Sequence, residues 1–181
     1  YHIAVATRPS NERTGSFSLS LGPANDALAS ATTLSGTSAT NSVESSGASI
    51  EYGEPGYSLN FTSPKASLWW KWTASSANGI WIDTLGSGFD TVLTVFSTNP
   101  PTIPSIVAEN DNASNPAGGG ASLVSFKPVS GTTYYIRVTR PAADTGVSGI
   151  ARVNLSSSSP IADPWLRWLA SRPALAGPDA L

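Results

Sequence analysis

The chain has 181 residues, enough for one domain of ordinary size with flanking sequence. Only 12% of its residues are charged and its net charge is −2, so it offers no basic surface for a nucleic-acid backbone. It lacks cysteine, which excludes disulfides, thiolate zinc sites and cysteine nucleophiles, and no apolar run approaches the roughly 18 residues of a membrane span. The abundant Ser, Thr, Asn and Gly are typical of secreted β-proteins, and we expect an extracellular or cell-surface location.

Alternating apolar residues predict two strands in the tryptophan-rich part of the chain. In SLWWKWT (67–73), Leu68 falls on the same face as the second and third tryptophans. GIWIDT (79–84) follows the turn signal Asn78-Gly79. If the two strands form a hairpin, they share an apolar face made of Trp70, Trp72, Ile80 and Ile82, and an opposite face made of Trp69, Lys71, Trp81 and Asp83.

Four later segments also read as strands. FDTVLTVFS (89–97) is apolar on both faces, as a central strand would be. The segments 121–129, 133–140 and 149–156 alternate instead, and the residues predicted to point inward are Val124, Phe126, Tyr134, Ile136, Val138, Ala151, Val153 and Leu155. Loops rich in Gly, Pro and Asn separate these strands, which favours an antiparallel sandwich or barrel.

The start of the chain resembles its own later part. YHIAVATRPSNERTGSFSLSL (1–21) aligns with residues 134–155, so that Tyr1, Ile3 and Val5 match Tyr134, Ile136 and Val138. We therefore predict that 1–21 are the last two strands of a preceding copy and that 22–156 form one full copy. The two strands would pair with a neighbouring molecule, pair along an edge of this domain, or belong to a longer chain. Methionine is absent even at position 1, so we expect a processed product or a segment of something longer.

Residues 157–181 predict a linker followed by a short helix and a tail. Asp163 fits an N-cap and Pro164 the first helical position, and the helix is expected over about 164–171. Its apolar stripe contains Trp165 and Trp168. This helix would dock either onto the sandwich or onto a neighbouring molecule.

An ordered set of short stretches resembles the bacterial pre-peptidase C-terminal (PPC) domain. These stretches are NDALASATTLSG (25–36), GASIEYGEP (47–55), SLWWKWTA (67–74), GIWIDTLGSGFDTVLTVF (79–96), AENDN (108–112), SLVSFKPVSGTTYYIRV (122–138) and GIARVNL (149–155). The resemblance implies an all-β, antiparallel, jelly-roll-like β-sandwich without catalytic activity, appended to secreted enzymes or adhesive proteins. It also implies that relatives bind calcium near the N-terminal edge, and that some bind fibrous protein or glycans.

Two groups of acidic residues are candidates for calcium. Asn25-Asp26 sits where the related calcium-binding sandwiches place an Asn-Asp pair, and Glu51 and Glu54 stand where those relatives carry acidic ligands. Calcium prefers six to eight oxygen ligands, so these four residues are the first candidate site. A second, weaker set consists of Asp83, Asp90 and Asp111, with Asn110 and Asn112 beside them. In both groups the same side chains can instead satisfy turn backbone without a metal.

The sequence predicts no catalytic site. The single histidine, His2, aligns with the outward-facing Tyr135, and no G-x-S-x-G pattern occurs. One histidine without cysteine cannot build a usual zinc site.

The tryptophans divide into two groups. Trp70 and Trp72 are predicted to pack in the core. Trp69 and Trp81 form a ligand or partner surface if their face meets solvent, and a core if another segment covers it, which is the interpretation we favour. Trp165 and Trp168 on the tail are further candidates for a partner surface.

Two functions remain open from the sequence. The first is a non-catalytic structural or adhesive module that contacts itself or adjacent repeats head to tail, through strands 1–21 and the tail, and so builds a filament. The alternative is an accessory domain that targets a secreted hydrolase to extracellular protein or glycan.

Overall fold

A computed structural model describes residues 22–56, 64–113, 120–141 and 148–158. These contain nine strands and two short 3₁₀ turns, Leu28–Ser30 and Ile103–Ser105. The strands are β1 (Thr32–Leu34), β2 (Ser38–Glu44), β3 (Ser67–Thr73), β4 (Ile80–Asp83), β5 (Val92–Phe96), β6 (Ile106–Asn110), β7 (Leu123–Phe126), β8 (Thr133–Thr139) and β9 (Ile150–Ser156). The predicted segment 1–21 and the predicted helix at 164–171 lie outside the described residues.

The strands form two sheets that face each other, and the all-β sandwich predicted from the sequence is confirmed. The five-stranded sheet has the order β1-β3-β8-β5-β6, and the four-stranded sheet has the order β2-β9-β4-β7. Only β1 runs parallel to its neighbour, β3, while the other pairings are antiparallel. Strands β8 and β9 follow each other along the chain but lie in different sheets, β8 between β3 and β5 and β9 between β2 and β4.

The core between the sheets is made of the side chains that the alternation pointed inward. Every predicted inward residue of the later strands is buried there or packs against it, and so are Trp70, Trp72, Ile80 and Ile82. The alternation located this core correctly because one face of each sheet is turned away from water.

The predicted hairpin of β3 and β4 is wrong. Strand β3 pairs with β8 and β1, whereas β4 pairs with β7 and β9 in the other sheet. The connection 74–79 crosses between the layers, and the two strands therefore share the core without sharing hydrogen bonds. Trp69 and Trp81 therefore do not share a face, because they point outward from opposite sheets.

Three strands were not predicted. Strand β2 reads SATNSVE and turns Ala39, Asn41 and Val43 toward the core, so its pattern is weakly apolar. Strand β1 has three residues, and β6 lies between the predicted strands 89–97 and 121–129, where its last two residues belong to the polar run ENDN. All three lie at sheet edges, where one side needs no partner and a strand can remain short and polar.

A second, smaller cluster covers the outer face of the five-stranded sheet. It contains Ala31, Trp69 and Phe96, with Leu28, Ile106 and Tyr135 packed against them. The segment that precedes β1 supplies Leu28 and Ala31. We call this segment, residues 28–31, the lid, because it covers part of the outer face of the sheet.

The chain enters and leaves the sandwich at opposite ends. Gly22 lies against Gly47, just beyond the end of β2, since a Cβ placed on Gly22 would come within 2.8 Å of the Gly47 carbonyl oxygen. At the other end of β2, the Ser157 N–H donates to the carbonyl of Thr37 over 2.9 Å. We call the end with Gly22 and the segment 45–54 the leading end, and the end with Thr37, the link 74–79 and Ser157 the trailing end. In the described ranges no helix is long and apolar enough to cross a membrane.

Candidate functional site

The most elaborate polar arrangement is a corner at the leading end, where residues 25–28 run beside 49–54. Asn25 is fully buried and is held to β3 by two hydrogen bonds, since its backbone carbonyl accepts from the Trp69 N–H over 2.9 Å and its side-chain amide donates to the Trp69 carbonyl over 3.1 Å. Asn25 therefore extends the sheet before β1 begins. Its side-chain oxygen is buried and accepts no hydrogen bond from the part of the chain that the structure describes.

Carboxylates in the corner bind neighbouring N–H and O–H groups. Asp26 accepts from the Ser49 N–H over 2.7 Å and from the Ser49 hydroxyl over 2.9 Å. Glu51 accepts from the Leu28 N–H over 2.8 Å. Glu54 accepts from the Glu51 N–H over 2.9 Å and from the Ser67 hydroxyl over 2.6 Å. These bonds tie the incoming chain, the loop after β2 and the start of β3 into one unit.

A buried arginine supplies the positive charge of this corner. Arg137, on the outer face of β8, has no exposed surface, and its guanidinium lies 3.8 Å from the carboxylate of Glu54. It donates to the carbonyls of Pro55 and Gly56 and stacks near the rings of Trp69 and Phe96, at 5.8 and 5.2 Å from their centroids. Charged and aromatic partners of this kind are what a desolvated guanidinium needs.

As placed, the predicted ligands Asn25, Asp26, Glu51 and Glu54 share the corner but do not fit a calcium ion. The described residues contain no group of three or more acidic or histidine side chains gathered as metal ligands. Both oxygens of Asp26 already accept hydrogen bonds, and Glu54 faces a guanidinium. Calcium requires six to eight converging oxygens, and a cation beside Arg137 would be repelled.

The second acidic set is divided by the fold. Asp83 is almost fully buried and accepts from the Asn154 side chain over 2.7 Å and from the Leu85 N–H over 2.9 Å. Burial raises the pKa of Asp83, and these hydrogen bonds and the charge of Arg152 only partly oppose that effect.

Asp90 and Asp111 lie close to each other in the loops at the leading end. Burial raises the pKa of Asp111, and the nearby charge of Asp90 raises it further. The Asn112 side chain donates to Asp111 over 2.9 Å, and the Leu123 N–H donates to the side chain of Asn110 over 3.0 Å. The Asn side chains in this region thus bond groups of the loops and of β7.

The structure places the two tryptophans of the predicted surface, Trp69 and Trp81, on different sheets. Trp69 has no exposed surface, because the lid and the ring of Phe96 cover it, with ring centroids 5.8 Å apart. Its prediction as a ligand-contacting residue is therefore wrong, whereas the covering that we favoured is confirmed for it. Trp81 is half-buried on the outer face of the four-stranded sheet. Trp165, Trp168 and His2 lie outside the described residues.

Two features of the ends were not found from the sequence. Tyr52, in the turn of the leading-end loop, is fully exposed at 108% of its reference surface, and Ile50 beside it is also exposed. At the trailing end a hollow of about 160 Å³ is lined by Thr37, Trp72, Ser76, Asn78, Gly79, Ile80 and Ser157. Tyr52 belongs to no alternating stretch, and the hollow joins three separate segments, so only contacts in space reveal them.

A family model for the bacterial pre-peptidase C-terminal domain matches residues 66–140, from just before β3 to just after β8. No curated protein matches the chain. PPC domains are non-catalytic β-sandwich modules that occur in secreted proteins, often proteases. The resemblance found in the sequence is thus confirmed over residues 66–140, which match the model of this family.

Proposed function

We propose that the chain is a non-catalytic structural module of an extracellular protein, in which sandwiches of this kind follow one another end to end. The observation that carries the proposal is the position of the two chain ends of the sandwich. Gly22 enters beside Gly47 at the leading end, and Ser157 leaves beside Thr37 at the trailing end. A module whose chain enters and leaves at opposite ends joins its neighbours in a line.

The repeat in the sequence supports the same arrangement. Residues 1–21 align with 134–155, which hold the inner strands β8 and β9. In the described sandwich each of these strands already has neighbours on both sides. Residues 1–21 are therefore suited to the inner positions of a preceding copy, and not to the edges of this one.

The alternative, targeting of a secreted hydrolase to protein or glycan, has less support. The aromatic surface predicted for such a role included Trp69, which is buried. Of that pair only Trp81 keeps partial exposure. A single half-buried tryptophan does not make the contiguous aromatic patch that ligand surfaces use.

The experiment is to lengthen the full chain by one copy, with residues 1–155 followed directly by 22–181, and to compare the two proteins by small-angle X-ray scattering. We call this protein the two-copy chain. A seven-residue strand spans about 23 Å, so with loops we expect the maximum dimension to grow by about 35 Å. Growth well below 20 Å, with both copies folded by circular dichroism, would mean side-by-side packing and would contradict the proposal.

A further inference from the structure

The connection between β3 and β4, residues 74–79, carries the only Asn-Gly pair of the chain. We propose that Asn78 is a site of spontaneous covalent modification, at which the backbone nitrogen of Gly79 displaces the side-chain amide. The residue is thereby converted to aspartate or isoaspartate as the folded protein ages. This inference concerns one connection within the sandwich and does not depend on the end-to-end arrangement proposed above.

The reaction needs only the chain and water. The backbone nitrogen of Gly79 loses its proton and forms a bond to Cγ of Asn78, and the bond from Cγ to Nδ2 breaks with release of ammonia. The product is a cyclic imide, which water opens in either of two ways. Addition of water at Cγ gives aspartate. Addition at the backbone carbonyl carbon gives isoaspartate, in which the main chain runs through Cγ and is longer by one carbon.

Gly79 leaves its backbone nitrogen open to this reaction. A side chain on the residue after an asparagine hinders the approach of its nitrogen to the amide carbon, and glycine has none. Apart from its neighbours in the chain, a Cβ placed on Gly79 would meet only the Phe126 carbonyl oxygen, 4.0 Å away. The Gly79 N–H donates to no residue in the described ranges, so no hydrogen bond has to break before the nitrogen attacks.

Asn78 is open to attack as well. It is exposed to solvent, and it lies in a bend between two strands, outside any sheet ladder. Its backbone N–H donates to the Ser76 hydroxyl over 3.4 Å, and no described residue bonds its side-chain amide. The side chain can therefore turn toward the following nitrogen, and water reaches the imide once it has formed.

The fold withholds these conditions from other asparagines. Asn25 is fully buried. Asn41 precedes a small residue, Ser42, but it lies within β2 and its side-chain oxygen accepts from the indole N–H of Trp70. Asn99 precedes proline, whose nitrogen has no proton to lose. Asn41 therefore serves as an internal control, because the same chain carries it in a rigid strand.

Modification at Asn78 changes both the charge and the length of the connection. Ala74 is bonded at one end of it to the turn 131–132, over 3.0 and 2.7 Å, and Ile80 at the other end pairs with Phe126. Both ends are thus fixed in different sheets, and the carbon that isoaspartate adds has to be taken up by an outward bulge between them. Either product adds one negative charge at the hollow that Asn78 lines.

The test is to incubate the full, folded chain in mildly alkaline buffer and to follow each asparagine by peptide mapping with mass spectrometry. We expect Asn78 to lose its amide first, giving a product that an isoaspartyl methyltransferase labels, while Asn41 keeps its amide. Gly79→Ala should slow the loss at least several-fold, because its methyl group hinders the attack while fitting the open space. Ala77→Ser, at the exposed residue before Asn78, is the matched control and should leave the rate unchanged.

Three results would overturn the inference. Asn78 that stays intact in the folded chain, while the urea-unfolded chain converts it, would mean that the fold protects the site. Loss of the amide from Gly79→Ala at the natural rate, with the variant folded by circular dichroism, would mean that another group attacks. Earlier conversion of a different asparagine would place the reactive site elsewhere. The natural chain alone decides the first and third of these, whether or not the variant folds.

Discussion

Trp69 and Trp70 are neighbours on β3 and neither has exposed surface, yet they are buried by different means. Trp70 points between two hydrogen-bonded sheets, and its indole N–H donates to the side chain of Asn41 on β2 over 2.8 Å. Trp69 points the other way, under the lid and against Arg137, and no described residue accepts a hydrogen bond from its indole N–H. The inner face of β3 is thus covered by the other sheet, whereas its outer face is covered by the lid and by the ion pair of Arg137 with Glu54.

Two side chains that are equally buried can therefore be held in place to different degrees. A side chain between two sheets has rigid neighbours on every side, whereas one beneath a lid has neighbours that can move. Substitutions on the two faces of β3 should therefore differ in the unfolding free energy that they cost.

Trp70→Ala is expected to be the most damaging change, at about 4–5 kcal/mol of unfolding free energy, because the two sheets cannot collapse into the space left. Trp69→Ala should cost about 3 kcal/mol, because the lid can settle inward. Denaturant unfolding of both variants would measure the difference. Equal costs, or a larger cost for Trp69→Ala, would mean that the lid is as rigid as the sheets.

Arg137→Met should cost about 3 kcal/mol, because it leaves Glu54 buried beside an apolar chain and releases the carbonyls of Pro55 and Gly56. Glu54→Gln should cost less, because the amide still accepts hydrogen bonds. The double variant is expected to cost clearly less than the sum of the two, which equilibrium unfolding of all four proteins would determine. Strict additivity would show that the ion pair does not couple the loop to β8.

Asp83→Asn should raise the free energy of unfolding at neutral pH, and this change should be smaller than the losses expected for Trp70→Ala and Arg137→Met. Burial raises the pKa of Asp83 in the folded chain above its ordinary value of 3.8. As pH rises from about that value through the raised pKa, the unfolded chain loses its proton first, so stability falls and the full loss persists above the folded pKa. The asparagine can still accept from Asn154 and Leu85.

Thermal melts at pH 7 and below pH 4 would test this, with the exposed Glu44→Gln as a control. The advantage of Asp83→Asn should be present at pH 7 and shrink in acid. An advantage that grows in acid would have the wrong sign and would reject the assignment.

Calcium should have the smallest effect. Because Arg137 supplies positive charge to the corner and both oxygens of Asp26 already accept hydrogen bonds from Ser49, we expect melts of the full chain with calcium and with a chelator to agree within about a degree. A metal that bound the folded state would raise the melting temperature by mass action. A rise that Glu54→Gln abolishes would show that calcium binds at the corner after all.

The sequence by itself determined the class of fold and most of the inner core. Strict alternation in β7, β8 and β9 identified their inward residues because a strand has only two faces and one of them is dry. The same alternation could not say which strands pair. Thus β3 and β4 looked like a hairpin, although their connection crosses between the sheets.

Only the tertiary structure decided the roles of the outer residues. Trp69 is core and Trp81 half-exposed because a lid covers one sheet at that point, and Arg137 is buried because Glu54 reaches it from a loop more than eighty residues earlier. Such contacts depend on which segments meet in space, and no local period records them. The exposure of Tyr52 and the hollow lined by Thr37, Ser76 and Ser157 follow from the path of the whole chain, so no local pattern predicts them.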